Sequence, residues 1–563
     1  MKSFFEKFNK NYKFLGLNAF ILFFLLNFLL TDFYCRKDLS RENRFNLTES
    51  TEKTLQNLPE KLFIDAFYST DIPGEHKARL NLTKELIKEI ANVNRSKVEL
   101  RFYDPDSSET NKKKAEEAGI RSVTLEKQER GSASIKQAYF GLRLTVGSKS
   151  TVIPVAYMAE GIEYQILSTL KKMLSKSGSS QMAILKANGV FSSPDPNQGG
   201  GQGLGKDTYG VFIHMAFSAE NGNVSEVNIN EESVPEEIKT LFWVGSPDLS
   251  EKGKFYIDQF LMRGGNLVIF AKTFNFTMGG GRQQQMMMQN GQDGLAQPDP
   301  QNANINSFLS NYGFEVKADM ILEPKESYSV SDIFQKLQNP NAESYHYPLW
   351  ILSNQDSNMM SKNSLFTKNS NALLLPWVSS IDVKKEKQPG ANFTNLVEST
   401  KDADKRAEFV LVAEDKVAKQ PINPQNTNFV LGLHIDGILN SSFNANSIPK
   451  DVNTVFVEKT KEGKKSQIIV FGTPYILSDM LVQDNYASLY KKHNLSFALN
   501  LFDILNGDTD LLATRTKQSY TKTLKDVGKA EKFFFSFINI LLLPIGVGIF
   551  AFLRLKKRNT GNA

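Results

Sequence analysis

LFWVGSPDLSEKGKFYIDQFLMRGGNLVIFAK, residues 241–272, is the stretch on which the fold reading turns. LFWVGS (Leu241–Ser246) is a short apolar run of strand length. Pro247 and Asp248 then open a helix, because proline fits a first turn whose N–H groups have no helical partner. Gly264 and Gly265 end that helix before NLVIFAK (Asn266–Lys272) repeats the strand pattern. Two strands joined by a helix of this length predict a parallel βαβ unit.

Upstream, LFIDAFYS (Leu62–Ser69), a turn at Pro73-Gly74, an apolar stripe at Leu82, Leu86, Ile87, Ile90 and Val93, and VELRFYD (Val98–Asp104) give a second β-α-β order. A charged helix near 111–118, the runs YFGLRLTV and STVIPVAY, and a helix with Ile162, Ile166, Leu167, Leu170, Met173 and Leu174 on one face follow. These bound a first α/β domain at 61–175. SKSGSS (Ser175–Ser180) is a linker, and a second α/β domain runs from 181 to 515. Residues 36–60 are polar and helix-prone, with Thr48 and Ser50 as candidate caps, and read as a juxtamembrane stalk.

Downstream, residues 277–306 are rich in Gly, Gln and Asn and have no apolar period, which predicts a disordered loop. Pattern resumes at Phe308–Val316. A last strand, SQIIVFGTP (Ser466–Pro474), precedes a helix with Phe497, Leu501, Phe502 and Leu505, ending at Asn506-Gly507. Residues 325–450 yield no elements.

The 563 residues exceed what one core supports. With 40% apolar and 23% charged residues, most of the mass belongs in water rather than in a polytopic membrane protein. The net charge of +6 has part of its excess in two short ends, Lys2, Lys7, Lys10 and Lys13, then Arg554, Lys556, Lys557 and Arg558. No basic patch within a domain suggests nucleic acid. The one cysteine, Cys35, excludes an intramolecular disulfide and a cysteine metal cluster.

FLGLNAFILFFLLNFLL (Phe14–Leu30) and FFFSFINILLLPIGVGIFAFL (Phe533–Leu553) are uncharged runs of 17 and 21 residues. They reach the length needed to cross a hydrocarbon core of about 30 Å, which predicts transmembrane helices at 14–31 and 533–553. Basic tails at 1–13 and 554–563 place both ends in the cytoplasm and the body between them in the periplasm, at the inner membrane. Asp32-Phe33-Tyr34-Cys35 offers no small-residue cleavage site and no lipoprotein motif, leaving Cys35 as a free thiol.

Candidate chemistry is sparse. Gly200-Gly201-Gln202-Gly203-Leu204-Gly205-Lys206-Asp207 fits G-x-x-x-x-G-K, but Asp207 stands where a phosphate loop needs a magnesium-binding hydroxyl. A flexible glycine loop is the better reading. His76, His214, His346, His434 and His493 are scattered singly, without metal-ligand spacing. Asp104/Asp106 lie in a proline turn whose aspartates bond their own backbone, and Glu231/Glu232 have no cleft to tune them. No G-x-S-x-G elbow occurs, and Cys35 lies outside both domains. Catalytic, cofactor and metal residues are therefore expected to be none, and the chain is expected not to be an enzyme.

Several blocks resemble the gliding-motility auxiliary family, GldG, of ABC transporters. Arg36, Asp38, Leu39 and Ser40 followed by Arg44-Phe45-Asn46-Leu47-Thr48 resemble its R-x-D-L-T then R-Y-T-L-S pattern, with departures at Ser40, Phe45 and Thr48. Tyr103-Asp104-Pro105-Asp106 with Gly119-Ile120, and Gly161-Ile162-Glu163-Tyr164, resemble its D-P/G-I and L-E-Y blocks. Val234-Pro235, Pro247-Asp248-Leu249-Ser250, Arg263-Gly264-Gly265-Asn266, Gly472 to Asp479, Asn500-Leu501 and Gly507-Asp508 continue the likeness.

The resemblance implies a thioredoxin-like first domain and an amidotransferase-like parallel-sheet second domain without its nucleophile. It also implies an ABC-2-type permease and a separate ATPase subunit as partners. The expected function is a non-catalytic accessory subunit of such a transport system, its exported body binding a small molecule or an envelope partner. The alternative is a membrane-tethered solute-binding or sensory receptor, since α/β sheets hold ligands beyond the carboxyl ends of their strands.

Overall fold

A computed structural model describes residues 46–129, 132–159, 161–174, 181–196, 204–218, 224–277, 294–330, 345–368, 370–413, 420–482 and 486–507, with isolated positions elsewhere. Met1–Gln518 forms one compact unit and Ser519–Ala563 a second.

The chain enters through α1 (Glu49–Gln56), whose first turn is capped by the Thr48 side chain accepting from the Thr51 amide. Leu55 and Leu58 are buried in the same core as the first sheet. Their apolar surface makes residues 46–60, the described part of the expected 36–60 stalk, part of the body. Strand β1 (Leu62–Tyr68) lies parallel to β2 (Val98–Tyr103), joined through α2 (Gly74–Asn92). After α3 (Glu109–Glu117) and β3 (Ser122–Glu129), the long β4 (Ser132–Val146) runs antiparallel to β1 and pairs with both β3 and β5 (Lys149–Ile153). Gly147, with φ +56°, makes the tight β4–β5 turn. Helices α2 and α4 (Ile162–Leu174) put Ile87, Ile90, Ile166 and Leu170 against Ile64, Phe140, Leu142 and Leu144.

The second sheet has seven strands: β6 (Met182–Lys186), β7 (Ser225–Asn228), β8 (Thr240–Gly245), β9 (Asn266–Ala271), β10 (Ala391–Glu398), β11 (Val430–Gly437) and β12 (Ser466–Phe471). Their order is β10-β11-β12-β9-β8-β6-β7. The five strands from β12 to β7 are mutually parallel, and β11 and β10 add an antiparallel edge. Successive residues feed opposite cores: Phe242, Val244, Val268 and Phe270 face one, Leu241, Trp243, Leu267 and Ile269 the other. Burial on both faces is why these strands read as continuous apolar runs.

Residues 241–272 form the predicted βαβ unit around α5 (Glu251–Met262). Ser250 caps α5 by accepting from the Gly253 amide at 3.1 Å. Gly264 stops it at φ +96°. A Cβ on Gly265 would meet the Phe260 ring at 2.5 Å, so the second glycine serves packing. Asp258, fully buried on α5, accepts from Tyr312 Oη, Ser441 Oγ, the Ser442 amide and Gln259 Nε2 at 2.5–2.7 Å, fastening the loop after β11 to the helix.

Two expectations are corrected. Among the described residues no helix is long and apolar enough to cross a membrane, so the fold is mixed α/β with many sheets, without the expected transmembrane helices at 14–31 and 533–553. Within 14–31 only Phe20–Phe23 and Leu25 are described, and within 533–553 thirteen of the 21 positions are, all of them helical; the other positions of both segments lie outside the described residues. The tails at 1–13 and 554–563, the 175–180 linker and Cys35 lie outside the described residues.

The second correction concerns the 277–306 segment. Leu295–Pro298 is a strand paired with Phe274–Thr277, and Gln301–Leu309 is helix α6, burying Ile305, Phe308 and Leu309. Those side chains supply the apolar anchor that composition alone did not show, while residues 278–293 lie outside the description. Within 325–450, Tyr345–Asn354 pairs with Ser327–Val330 and Ala372–Pro376. Near the end of this unit lies α7 (Ser496–Leu505), beyond which positions 509, 511–512 and 514–515 are also helical.

Candidate functional site

In a sheet of this kind ligands settle beyond the carboxyl ends of the strands, where chain connections part to either side. Here β6 is followed by β7 on one side and β8 on the other, so that place lies between β6 and β8. The chain fills it with its own backbone. Val190 bridges to Gly245, and the Phe191 amide donates to Val244 O at 2.9 Å. The Ser246 amide donates to Gly189 O at 3.0 Å and the Asp248 amide to Asn188 O at 2.7 Å. A Cβ on Gly189, φ +85°, would stand 2.1 Å from Ser246 O, so only glycine permits this closure.

The described part of the glycine-rich motif, Leu204–Asp207, leads into a single wide helical turn at Val211–Phe217. Exposed helix-start amides are what a phosphate would bind. Asp479 occupies them instead. Its Oδ2 accepts from Thr208 Oγ1 at 2.6 Å and the Gly210 amide at 2.8 Å, and its Oδ1 from the Val211 amide at 2.9 Å. Burial holds this carboxyl above the ordinary carboxylate range, against the opposing pull of those three donors. Ser478 Oγ donates to Lys206 O at 2.5 Å, tying the same loop down from the other side.

Lys206 turns inward. Its Nζ lies 4.4 Å from the Phe276 ring centroid, donates to Tyr475 Oη at 3.4 Å and pairs with Asp207 at 3.1 Å. Burial lowers its proton affinity, which Asp207 partly restores and Lys272 reduces further. Tyr475 in turn packs on Phe191, Phe276 and Trp377, with centroids 5.1–5.6 Å apart. Trp377 sits at φ +48°, strained for a bulky residue, and is held by its amide to Leu349 O at 2.7 Å and its Nε1 to Tyr347 Oη at 3.2 Å. The two lysines nearest the glycine loop, Lys206 and Lys272, both face Asp207.

A second constellation gathers the two ends of the body on α4. Glu163 Oε1 accepts from the Thr48 amide at 2.6 Å and from the Thr48 and Thr51 hydroxyls at 2.8 Å each, holding the incoming chain. The next residue, Tyr164, holds the outgoing chain. The Arg515 guanidinium lies 4.2 Å from its ring centroid, bonds its hydroxyl, and pairs with Asp503 of α7 at 2.8 Å. Arg515, Asp503 and Tyr164 are 3–4% exposed, and Leu511 packs beside Tyr164 and Leu167.

The remaining sequence candidates are dispersed. His76 bonds Tyr157, His214 the Ser193 carbonyl, His346 the Ser327 carbonyl and His434 the Gln467 side chain. Burial lowers the proton affinity of His434 and His493. Asp104 accepts from the Asp106 amide at 2.9 Å within its turn, and Glu232 accepts from the Asn228 amide at 3.2 Å. Among the described residues no three His, Cys, Asp or Glu side chains gather as a metal set. Sequence reasoning missed Arg515; Glu163 and Tyr164, and Tyr475 and Asp479 within the Gly472–Asp479 block, were visible only as motifs without a role.

A family model described as ABC-type uncharacterized transport system matches residues 212–502. A domain family of unknown function matches residues 41–145. An uncharacterized protein of Borreliella burgdorferi is 21% identical over 533 residues, spanning 93% of this chain and 94% of its own. Among solved structures, the mmIFT52 N-terminal domain is 12% identical, covering 58% of this chain and 97% of that one, with a TM-score of 0.29, a likeness too slight to carry an argument.

Proposed function

The chain belongs to the ABC-type uncharacterized transport system family, whose model covers residues 212–502, and from that premise we propose that it is a non-catalytic accessory subunit that works through contacts. The observation that carries the reading is the closed crevice of the seven-stranded sheet. Its backbone gap is filled by Gly189–Phe191, its helix-start amides are taken by Asp479, and its lysines face Asp207. A site built in this way holds the fold together and leaves no slot there for a nucleotide.

In this proposal the partners are an ABC-2-type permease and a separate ATPase subunit, as in gliding-motility systems, and the body lies on the extracytoplasmic side of the cytoplasmic membrane. The clamp on α4 supports a mechanical role. Glu163 and Tyr164 are neighbours on one helix, so a pull arriving at Thr48 or at Arg515 is delivered to the same element.

Affinity purification of the tagged full chain from a membrane fraction tests the assignment. Co-elution of a polytopic permease and an ATP-binding subunit is expected, and recovery of the full chain alone sinks it. Protease added outside intact spheroplasts is expected to cut the body; full protection would overturn the extracytoplasmic placement.

A further inference from the structure

The parallel pair in the first sheet ends differently. Beyond the carboxyl ends of β1 and β2 lies a cavity of about 230 Å³ lined by Tyr68, Thr70, Lys84, Lys88, Phe102, Tyr103 and Asp104. Tyr68 is buried, while Phe102 at the end of β2 is 40% exposed and presents the open part of its ring to the cavity. The two rings stand 6.2 Å apart at 60°, forming an aromatic corner.

The charges around this corner are unevenly spent. Asp104 already accepts from Thr70 Oγ1 at 2.5 Å and from the Asp106 amide. Lys88 is paired with Glu85 at 2.8 Å. Lys84, one turn before Lys88 on α2, has its Nζ 5.6 Å from the Tyr68 ring centroid, and among the described residues no carboxylate lies within ion-pair distance of it. This half-buried ammonium is drawn by Asp104 in the same lining without pairing directly with it, and beside the partly exposed ring it is complementary to a ligand with a negative head and a flat apolar body.

We infer that this cavity is a binding site for a small aromatic carboxylate, its carboxylate on Lys84 and its ring in the Tyr68–Phe102 corner. The volume corresponds to about eight waters, which suits one ring with one carboxylate. This site is independent of the transport assignment, because it rests on residues outside the matched range 212–502.

Saturation-transfer difference NMR on the purified full chain tests it with benzoate, and with benzamide and acetate as probes lacking the charge or the ring. A saturable benzoate signal at least fivefold stronger than either is expected. Lys84→Met should abolish it, Lys84→Arg should retain it, and Phe102→Ala should weaken it severalfold, with circular dichroism showing each variant folded. Equal signals from benzamide, or an undiminished benzoate signal in folded Lys84→Met, would overturn the site.

Discussion

Strands β1 and β2 and strands β6 and β8 end in equivalent places, yet the two places have been put to opposite use. At the seven-stranded sheet the amides are given to Asp479, backbone to backbone across Gly189 and Gly245, and Lys206 to a ring and a carboxylate, leaving the buried Ser246 hydroxyl as the polar group there without a partner among the described residues. At the first sheet Lys84 and Phe102 face a cavity instead. Position in an α/β sheet therefore marks where a ligand could be. Whether one is invited depends on how many polar groups there are already satisfied.

That contrast breaks most readily at Asp479. Asp479→Ala strands two amides, each costing about 1–1.5 kcal/mol, and leaves the Thr208 hydroxyl only the Gly205 carbonyl as acceptor, so it should destabilise the full chain by about 3 kcal/mol in urea denaturation. A loss below about 1 kcal/mol would show water already reaching those amides, and the crevice would not be closed.

Arg515→Ala comes next. It leaves Asp503 buried without its cation and detaches the exit segment from Tyr164, an expected cost of about 3 kcal/mol. Limited proteolysis should then release residues beyond 505 early, while the crevice around Asp479 stays protected. Simultaneous loss of both would mean that the clamp and the closure are one cooperative element.

A pH series sharpens the same comparison with a smaller effect. Burial raises the Asp479 carboxyl, so the folded chain holds that proton at pH values where the unfolded chain has released it. The folded state then binds more protons than the unfolded one, and this group's contribution to stability declines as pH rises from the ordinary carboxylate range through the raised value. Asp479→Asn should remove that decline. Parallel curves for the two proteins would show that the carboxylate is solvated.

How much of this was readable beforehand follows from sequence distance. Residues 241–272 were legible because Pro247-Asp248, Gly264 and Gly265 punctuate a local unit whose strands are buried on both faces, although the helix itself starts three residues later than Pro247-Asp248 suggested, behind the Ser250 cap. The 325–450 region was not, because several of its strands find partners far along the chain, as Asp404–Ala407 does with Asp319–Leu322 and Ala391–Glu398 with Val430–Gly437. The closed crevice was half legible: Asp207 disqualified the glycine loop, but the carboxylate that replaces a phosphate comes from Asp479, more than 260 residues from Gly210. Lys84 was hidden for another reason. On a helix with an apolar stripe it reads as part of the solvated face, and only the neighbouring Tyr68 and Phe102 give it a cavity to look into.

The smallest expected effect decides whether the open site is open. Lys84→Met keeps a flexible apolar stem against Tyr68 and loses the contact of the ammonium with the ring, worth about 0.5–1 kcal/mol at a partly exposed position. It also removes the cost of half-burying a charge, which is what lowers the proton affinity of Lys84 despite the nearby Asp104. The two changes oppose each other, so the urea midpoint should shift by no more than about 0.5 kcal/mol equivalent. A loss above about 1.5 kcal/mol would place Lys84 with Lys206 among the groups spent on the fold, and the two strand ends would no longer differ in kind.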